Sequence, residues 1–155
     1  ARAMPGGGAT EGNAHVPWCS VGTLLPEAVA TVTSVLSAIG TVDCVADEAA
    51  LAYMSALSGS GAAYPALVAQ AMFQHALSQG IAEDVAWRAV ASVVCDAPNL
   101  FREGPQKAAE LIDTYRGYKG ITAAGIDTAR AEGLETAIAR ALDAATQKAV
   151  TFRKA

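Results

Sequence analysis

From Pro26 onward, apolar residues recur at intervals of three and four, and most of the runs are punctuated by glycine. That is the helical period, and a chain patterned this way for most of its length has to pack helix on helix. Leu25, Val29, Val32, Val35, Leu36 and Ile39 form the first stripe, stopped by Gly40. Asp47 and Glu48 put acids at the positive end of a second helix running to Leu57. Tyr64, Leu67, Val68, Ala71, Met72 and His75 share one face of a third, which Gly80 ends. Ala82-Glu-Asp84 opens a fourth, with Val85, Ala89, Ser92 and Val93 on one face and Val90 and Val94 beside it; Pro98 predicts a kink or an end near Ala97. A shorter helix is expected over 105–115, then two more over Ile121–Ala131 and from Leu134 to about Phe152. Leu134, Ile138, Ala141, Leu142, Ala145 and Ala149 line the last one. Residues 1–22 read as a non-helical lead, because Met4-Pro5-Gly6-Gly7-Gly8 and Pro17 oppose a helix. Only Thr41-Val-Asp-Cys-Val45 reads as extended, so the fold class is all-α with one vestigial strand.

Composition narrows the function classes. The 155 residues suit one domain, and 52% hydrophobic against 17% charged excludes disorder. That much apolar surface also points to self-association. Eleven Lys+Arg minus 15 Asp+Glu gives −4, which attracts neither nucleic acid nor an anionic membrane. No run approaches the roughly 18 apolar residues of a membrane helix, and no signal-peptide pattern opens the chain. Cys19, Cys44 and Cys95 form no CxxC and leave one unpaired, so they read as buried thiols in a reducing, cytoplasmic setting.

Two glycine-bearing breaks stand out. Ser58-Gly59-Ser60-Gly61 lies between two helices, and its downstream side is a helix N-terminus, where free N–H groups and the dipole suit a carboxylate or phosphate. Its plain alternative is a helix corner with Ser60 as N-cap. Arg116-Gly117-Tyr118-Lys119-Gly120-Ile121-Thr122 has the same placement with two cations nearby; its alternative is a corner with solvated charges. Elsewhere the chain offers little chemistry. His15 and His75 stand without a base or metal partner at a recognisable spacing, and His75 reads as a core histidine. Trp18 and Trp87 read as packing residues. No Asp, Glu or His cluster has metal-ligand spacing, and Gly6-Gly7-Gly8 lacks the preceding strand of a nucleotide-binding fingerprint.

Ala56-Leu-Ser-Gly-Ser-Gly-Ala-Ala-Tyr64 resembles the ALSGSGPAY signature of the pyrroline-5-carboxylate reductase family, the NAD(P)H enzymes of proline synthesis. Arg2-Ala-Met-Pro5 with Ala9-Thr-Glu-Gly12 resembles the family segment that leads from its Rossmann domain into its helical domain. Gly120-Ile-Thr-Ala-Ala-Gly125 is similar to the second half of its SPGGTT loop, and Ala131-Glu-Gly-Leu134 with the last helix to its tail. The resemblance implies a junction remnant over 1–22 and, over 23–155, a C-terminal helical bundle like that of 6-phosphogluconate dehydrogenase, interleaved with a twin as a homodimer. Dimers of the family commonly join into rings. It also implies a Rossmann half upstream of Ala1 that holds most of the NADPH or NADH.

On that resemblance Ser58, Gly59, Ser60, Gly61, Gly117, Lys119, Gly120 and Thr122 fall on substrate-site segments for a small carboxylate. Thr122 takes the catalytic position beside the ring nitrogen, and Met4, Pro5 and Gly6 border the cofactor; no metal is implied. The chain departs from the pattern in places. Gly117-Tyr118-Lys119 stands for Ser-Pro-Gly, Ile121 for the first threonine, Gly6-Gly7-Gly8 for Asn-Thr-Pro, and Ala62 for proline. Three functions follow as expectations: half of a cyclic-imine reductase, faithful or with altered specificity; a helical dimerisation module without catalysis; or a cofactor-independent binder of small carboxylates.

Overall fold

The computed structural model describes residues 1–152. The fold is predominantly helical, as the periodicity predicts. Its elements are β1 (Arg2–Ala3), β2 (Ala14–Cys19), α1 (Pro26–Leu36), β3 (Gly40–Cys44), α2 (Glu48–Met54), α3 (Ala63–Ser78), α4 (Glu83–Ala91), α5 (Pro105–Gly117), α6 (Ile121–Ala131) and α7 (Leu134–Phe152). The chain divides into two compact units, residues 1–64 with 139 onward, and residues 65–138.

The first unit corrects the reading of the lead. Residues 1–22 hold a turn of 3-10 helix at Gly7–Glu11 and two strands, where the sequence pattern gave none. β1 pairs antiparallel with β2, Arg2 opposite Cys19, and β2 pairs parallel with β3, from Ala14↔Gly40 to Trp18↔Cys44. Pro17 disguises β2, because a proline inside a central strand removes a ladder donor. Here the cost is avoided. The Pro17 carbonyl accepts from Met4 N–H at 3.0 Å on the side where β1 has already ended, so the missing donor faces no full ladder. Val16, Pro17, Trp18 and Cys19 are buried on both faces of β2, and Leu51 and Ala56 close over them. Asp47 caps α2 as its position predicts, its Oδ1 accepting from Ala49 and Ala50 N–H at 2.9 and 2.8 Å.

Of the three cysteines only Cys19 is buried; Cys44 and Cys95 are exposed, which corrects the reading of all three as buried. Burial pushes the Cys19 thiol above its ordinary value, and the Glu48 carboxylate beside it adds to the shift. In the native protein, iodoacetamide at about pH 8 is expected to alkylate Cys44 and Cys95 and to spare Cys19 until the chain unfolds. Peptide mass spectrometry reads the outcome, and early labelling of Cys19 would contradict it.

The second unit has a thin core. Ala69, Ala86, Val90 and Ala123 are buried, and Phe73 meets Trp87 edge to face at 5.7 Å. The stripes read from the sequence point outward in this single chain: Leu67, Val68 and Met72 on α3, and Val85 and Val93 from α4 into the turn after it, are exposed. His75 is exposed too, not a core histidine. Around Pro98 the helix loosens into π and 3-10 turns over Ser92–Asp96 and Ala97–Phe101 instead of stopping at once. α6 and α7 have the bounds the sequence gives.

Candidate functional site

The 58–61 segment is not a simple break. α2 continues past Met54 as a π-turn, Ser55–Gly59, in which Ser60 N–H reaches back to the Ser55 carbonyl at 3.1 Å. Such one-turn widenings recur at functional sites. Gly61 N–H then bonds the Ser58 carbonyl at 3.2 Å, and Ala63 N–H bonds the Ser60 carbonyl at 2.9 Å to start α3. A Cβ at 61 would lie 3.0 Å from the Ser58 carbonyl oxygen, a tight contact that the turn would have to relieve by a few tenths of an ångström.

The Met4–Gly6 segment is seated on this turn. Gly6 N–H bonds the His15 carbonyl at 3.2 Å, and a Cβ on Gly6 would lie 2.7 Å from the Ser58 carbonyl oxygen. A Cβ on Gly7 would meet only Ala62 Cβ, at an ordinary 3.9 Å. Gly6→Ala is therefore expected to destabilise the protein by about 1–3 kcal/mol through overpacking, and Gly7→Ala to leave it within about 0.5 kcal/mol. Urea denaturation of the pair checks this, and equal midpoints would contradict it.

Beside the turn lies a cavity of about 460 Å³. Met4, Ser55, Ser60, Arg2 and Lys148 are among its lining residues. Arg2 is bonded to Glu48 at 2.8 Å, and the Lys148 ammonium sits 4.7 Å from the centre of the Phe152 ring. Met4 and Ser60 thus face one space. Gly6 does not, because its missing side chain makes room for the Ser58 carbonyl.

The structure supplies partners that the sequence did not suggest for His15. Its Nδ1 is 2.8 Å from Ser58 Oγ, and its Nε2 is 3.0 Å from Asp43 Oδ2. Register explains the pairing. His15 faces Thr41 across the parallel β2–β3 ladder, and Asp43 lies two residues on, on the same face. The 28-residue separation hides this in the sequence. Only recognising β2 as a strand reveals it.

The second segment belongs to the other unit. α5 runs through Gly117, two residues beyond the predicted end, and Lys119 follows in the left-handed region at φ 51°. Gly120 caps α6 with extended backbone and no side-chain bond, and Ala124 N–H closes the first turn on its carbonyl at 3.2 Å. Arg116 Nε donates to Asp127 Oδ1 at 2.8 Å, so this guanidinium already serves to tie α5 to α6. Thr122 and Lys119 are exposed, and no atom lies within 4 Å of a Cβ added at Gly117 or Gly120. Left-handed backbone costs a side-chain-bearing residue roughly 1–2 kcal/mol. Lys119→Gly is expected to raise stability by about 1 kcal/mol. A lower denaturation midpoint in that variant would contradict the strain.

The family description "Pyrroline-5-carboxylate reductase dimerisation" matches residues 48–152. The chain belongs to the pyrroline-5-carboxylate reductase family. It is 28% identical over 125 residues to the pyrroline-5-carboxylate reductase of Synechocystis, covering 81% of this chain and 46% of that protein. The chain therefore spans about half the length of that curated relative. A pyrroline-5-carboxylate reductase from Coxiella burnetii superposes with a TM-score of 0.86 at 25% identity, over 97% of this chain and 56% of that one. The fold is shared with a Plasmodium falciparum pyrroline carboxylate reductase solved with NADP bound, at TM-score 0.82 and 20% identity, over 95% and 60% of the two chains. Within the family match lie Ser58–Gly61 and 117–122; Met4–Gly6, His15 and Asp43 fall before it.

Among the described residues no group of three or more His, Cys, Asp or Glu is placed to hold a metal ion, and no helix is long and apolar enough to cross a membrane.

Proposed function

We propose that this chain is the dimerisation and substrate-site half of a pyrroline-5-carboxylate reductase-like oxidoreductase, which reduces a cyclic imino acid with NADPH or NADH. The family match across 48–152, containing both glycine-bearing segments, carries this reading. In it, residues 1–22 are the remnant of the junction to a Rossmann half and residues 23–155 the helical domain. The outward apolar residues of α3 and α4 are the surface that an interleaved twin covers. Dimers then join into rings in the cytoplasm.

The cofactor's part is hydride delivery to the imine carbon. This chain's residues bind and orient. The Ser60 hydroxyl on the first segment and the α6 N-terminus at Gly120 on the second are the groups that can meet a substrate carboxylate, since the N–H groups of Ser60, Gly61 and Lys119 are taken by the Ser55, Ser58 and Arg116 carbonyls and Gly117 ends α5. Thr122 places its hydroxyl by the ring nitrogen. Met4 and Pro5 border the cofactor, and Met4 fits that role because it lines the cavity beside Ser60. Gly6 acts indirectly, by seating the turn.

One observation favours a second reading. Lys119 stands in strained backbone where the family pattern has glycine, and its ammonium adds a charge beside the carboxylate segment. A substrate with a second acidic group would pair with it. The test is turnover by the full-length protein with each nicotinamide cofactor and a set of cyclic imino acids. Oxidation of the cofactor with pyrroline-5-carboxylate supports the first reading, and a preference for a dicarboxylic imine supports the second. No turnover with any imine would leave a dimerisation module without catalysis.

A further inference from the structure

The hydrogen-bond chain Asp43–His15–Ser58 crosses three elements and touches the turn that the family signature marks. A carboxylate only accepts, so the 3.0 Å contact to Asp43 Oδ2 places a proton on His15 Nε2. The state of the other ring nitrogen then decides what Ser58 does. In the neutral ring Nδ1 is an acceptor, and the Ser58 hydroxyl donates to it across 2.8 Å. In the cationic ring Nδ1–H donates to Ser58 Oγ instead. The hydroxyl hydrogen then has a second acceptor ready, the Met54 carbonyl at 3.1 Å. Both settings satisfy every group, and in both the Ser58 proton is engaged inside the protein.

We propose that His15, oriented by Asp43, is a positioning residue that sets the direction of the Ser58 hydroxyl and keeps it a hydrogen-bond acceptor toward any ligand. Resting on the function proposed above, this removes Ser58 from the donors for the substrate carboxylate. Ser60 takes that role: its hydroxyl reaches the Ser55 carbonyl only at 3.5 Å, the limit of a hydrogen bond, and its residue lines the cavity. The ionisable residues on the elements packed against β2 are otherwise occupied or elsewhere. Arg2 of β1 is bonded to Glu48 of α2, Cys44 points its thiol at the Val45 carbonyl, and Asp47 caps α2. Glu11 is on the 3-10 turn and Tyr53 on α2, and neither is a hydrogen-bond partner of the His15 ring among the described residues. Asp43 is thus the charge that sets the His15 tautomer.

The full-length protein with ¹⁵N-labelled histidine tests this without any ligand. Long-range ¹H–¹⁵N spectra over about pH 5–8, the range in which imidazoles exchange a proton, are expected to show neutral His15 protonated at Nε2 alone. Asp43→Asn is expected to mix the two tautomers, and Ser58→Ala to shift the Nδ1 resonance. A neutral His15 protonated at Nδ1, or an Nδ1 resonance unmoved in Ser58→Ala, would overturn the proposal. A second arm uses proline as the probe. Ser60→Ala is expected to weaken its binding severalfold, and Ser58→Ala to weaken it less. A loss in Ser58→Ala as large as that in Ser60→Ala would also overturn it. The ring-nitrogen arm stands or falls apart from reductase turnover, so failure of the proposed function and failure of this relay are distinguishable.

Discussion

Gly40→Ala is expected to cost about 3–5 kcal/mol, a large share of the roughly 5–15 kcal/mol that holds an ordinary domain folded. Gly40 opens β3 at φ 151°, a conformation that side-chain-bearing residues rarely adopt. It also sits directly opposite Ala14 in the parallel ladder. A Cβ built there overlaps the Ala14 carbonyl and lies 2.7 Å from the Ala14 nitrogen. Both obstacles are backbone, so no rotamer relieves them. The strand would have to slip or separate, and β2 carries Val16, Trp18 and Cys19, the heart of that unit's core. Far-UV circular dichroism with a urea titration reads the loss. The same substitution at Gly117, where no atom lies within 4 Å of an added Cβ, is the control. A Gly40→Ala midpoint close to that of Gly117→Ala would show the β2–β3 contact to be looser than the structure has it.

The contrast between these glycines marks how far the sequence can be read. The stop at Gly40 is visible as punctuation of a helical stripe, but its deeper reason is a strand neighbour that periodicity does not reveal. Helices with clear stripes and flanking glycines, α6 and α7, are legible to the residue, since local propensity and capping decide them. β2 is not, because its partner β3 comes after a whole helix and Pro17 contradicts the local pattern. The same limit hides His15 and Asp43, whose meeting depends on register between distant strands. The outward direction of Leu67, Val68 and Met72 was equally illegible: a stripe has the same spacing whether a neighbouring helix or a second chain covers it. The 58–61 and 117–122 segments were visible as glycine-bearing kinks, but chemistry attaches to them through the family likeness and not through spacing.

Thr122→Ala is expected to lower kcat by about a hundredfold, the loss typical of one preorganised polar contact to the reacting group. The structure makes this a clean test of the proposed role. Thr122 is exposed in the first turn of α6, one residue before the buried Ala123, so its side chain is not part of this chain's own core. Alanine is the better helix former by several tenths of a kcal/mol, so stability should hold or rise slightly. Activity and stability thus move in opposite directions, which a merely structural threonine would not produce. Thr122→Ser restores the hydroxyl without the methyl group and is expected to recover most of the rate. KM should change less than kcat, because in the proposed reading the carboxylate is held by neighbouring groups and not by the 122 hydroxyl. If Thr122→Ala turns over as fast as the wild type in the full-length protein, the hydroxyl at 122 is not beside the ring nitrogen. The reacting group must then be sought elsewhere along the segment.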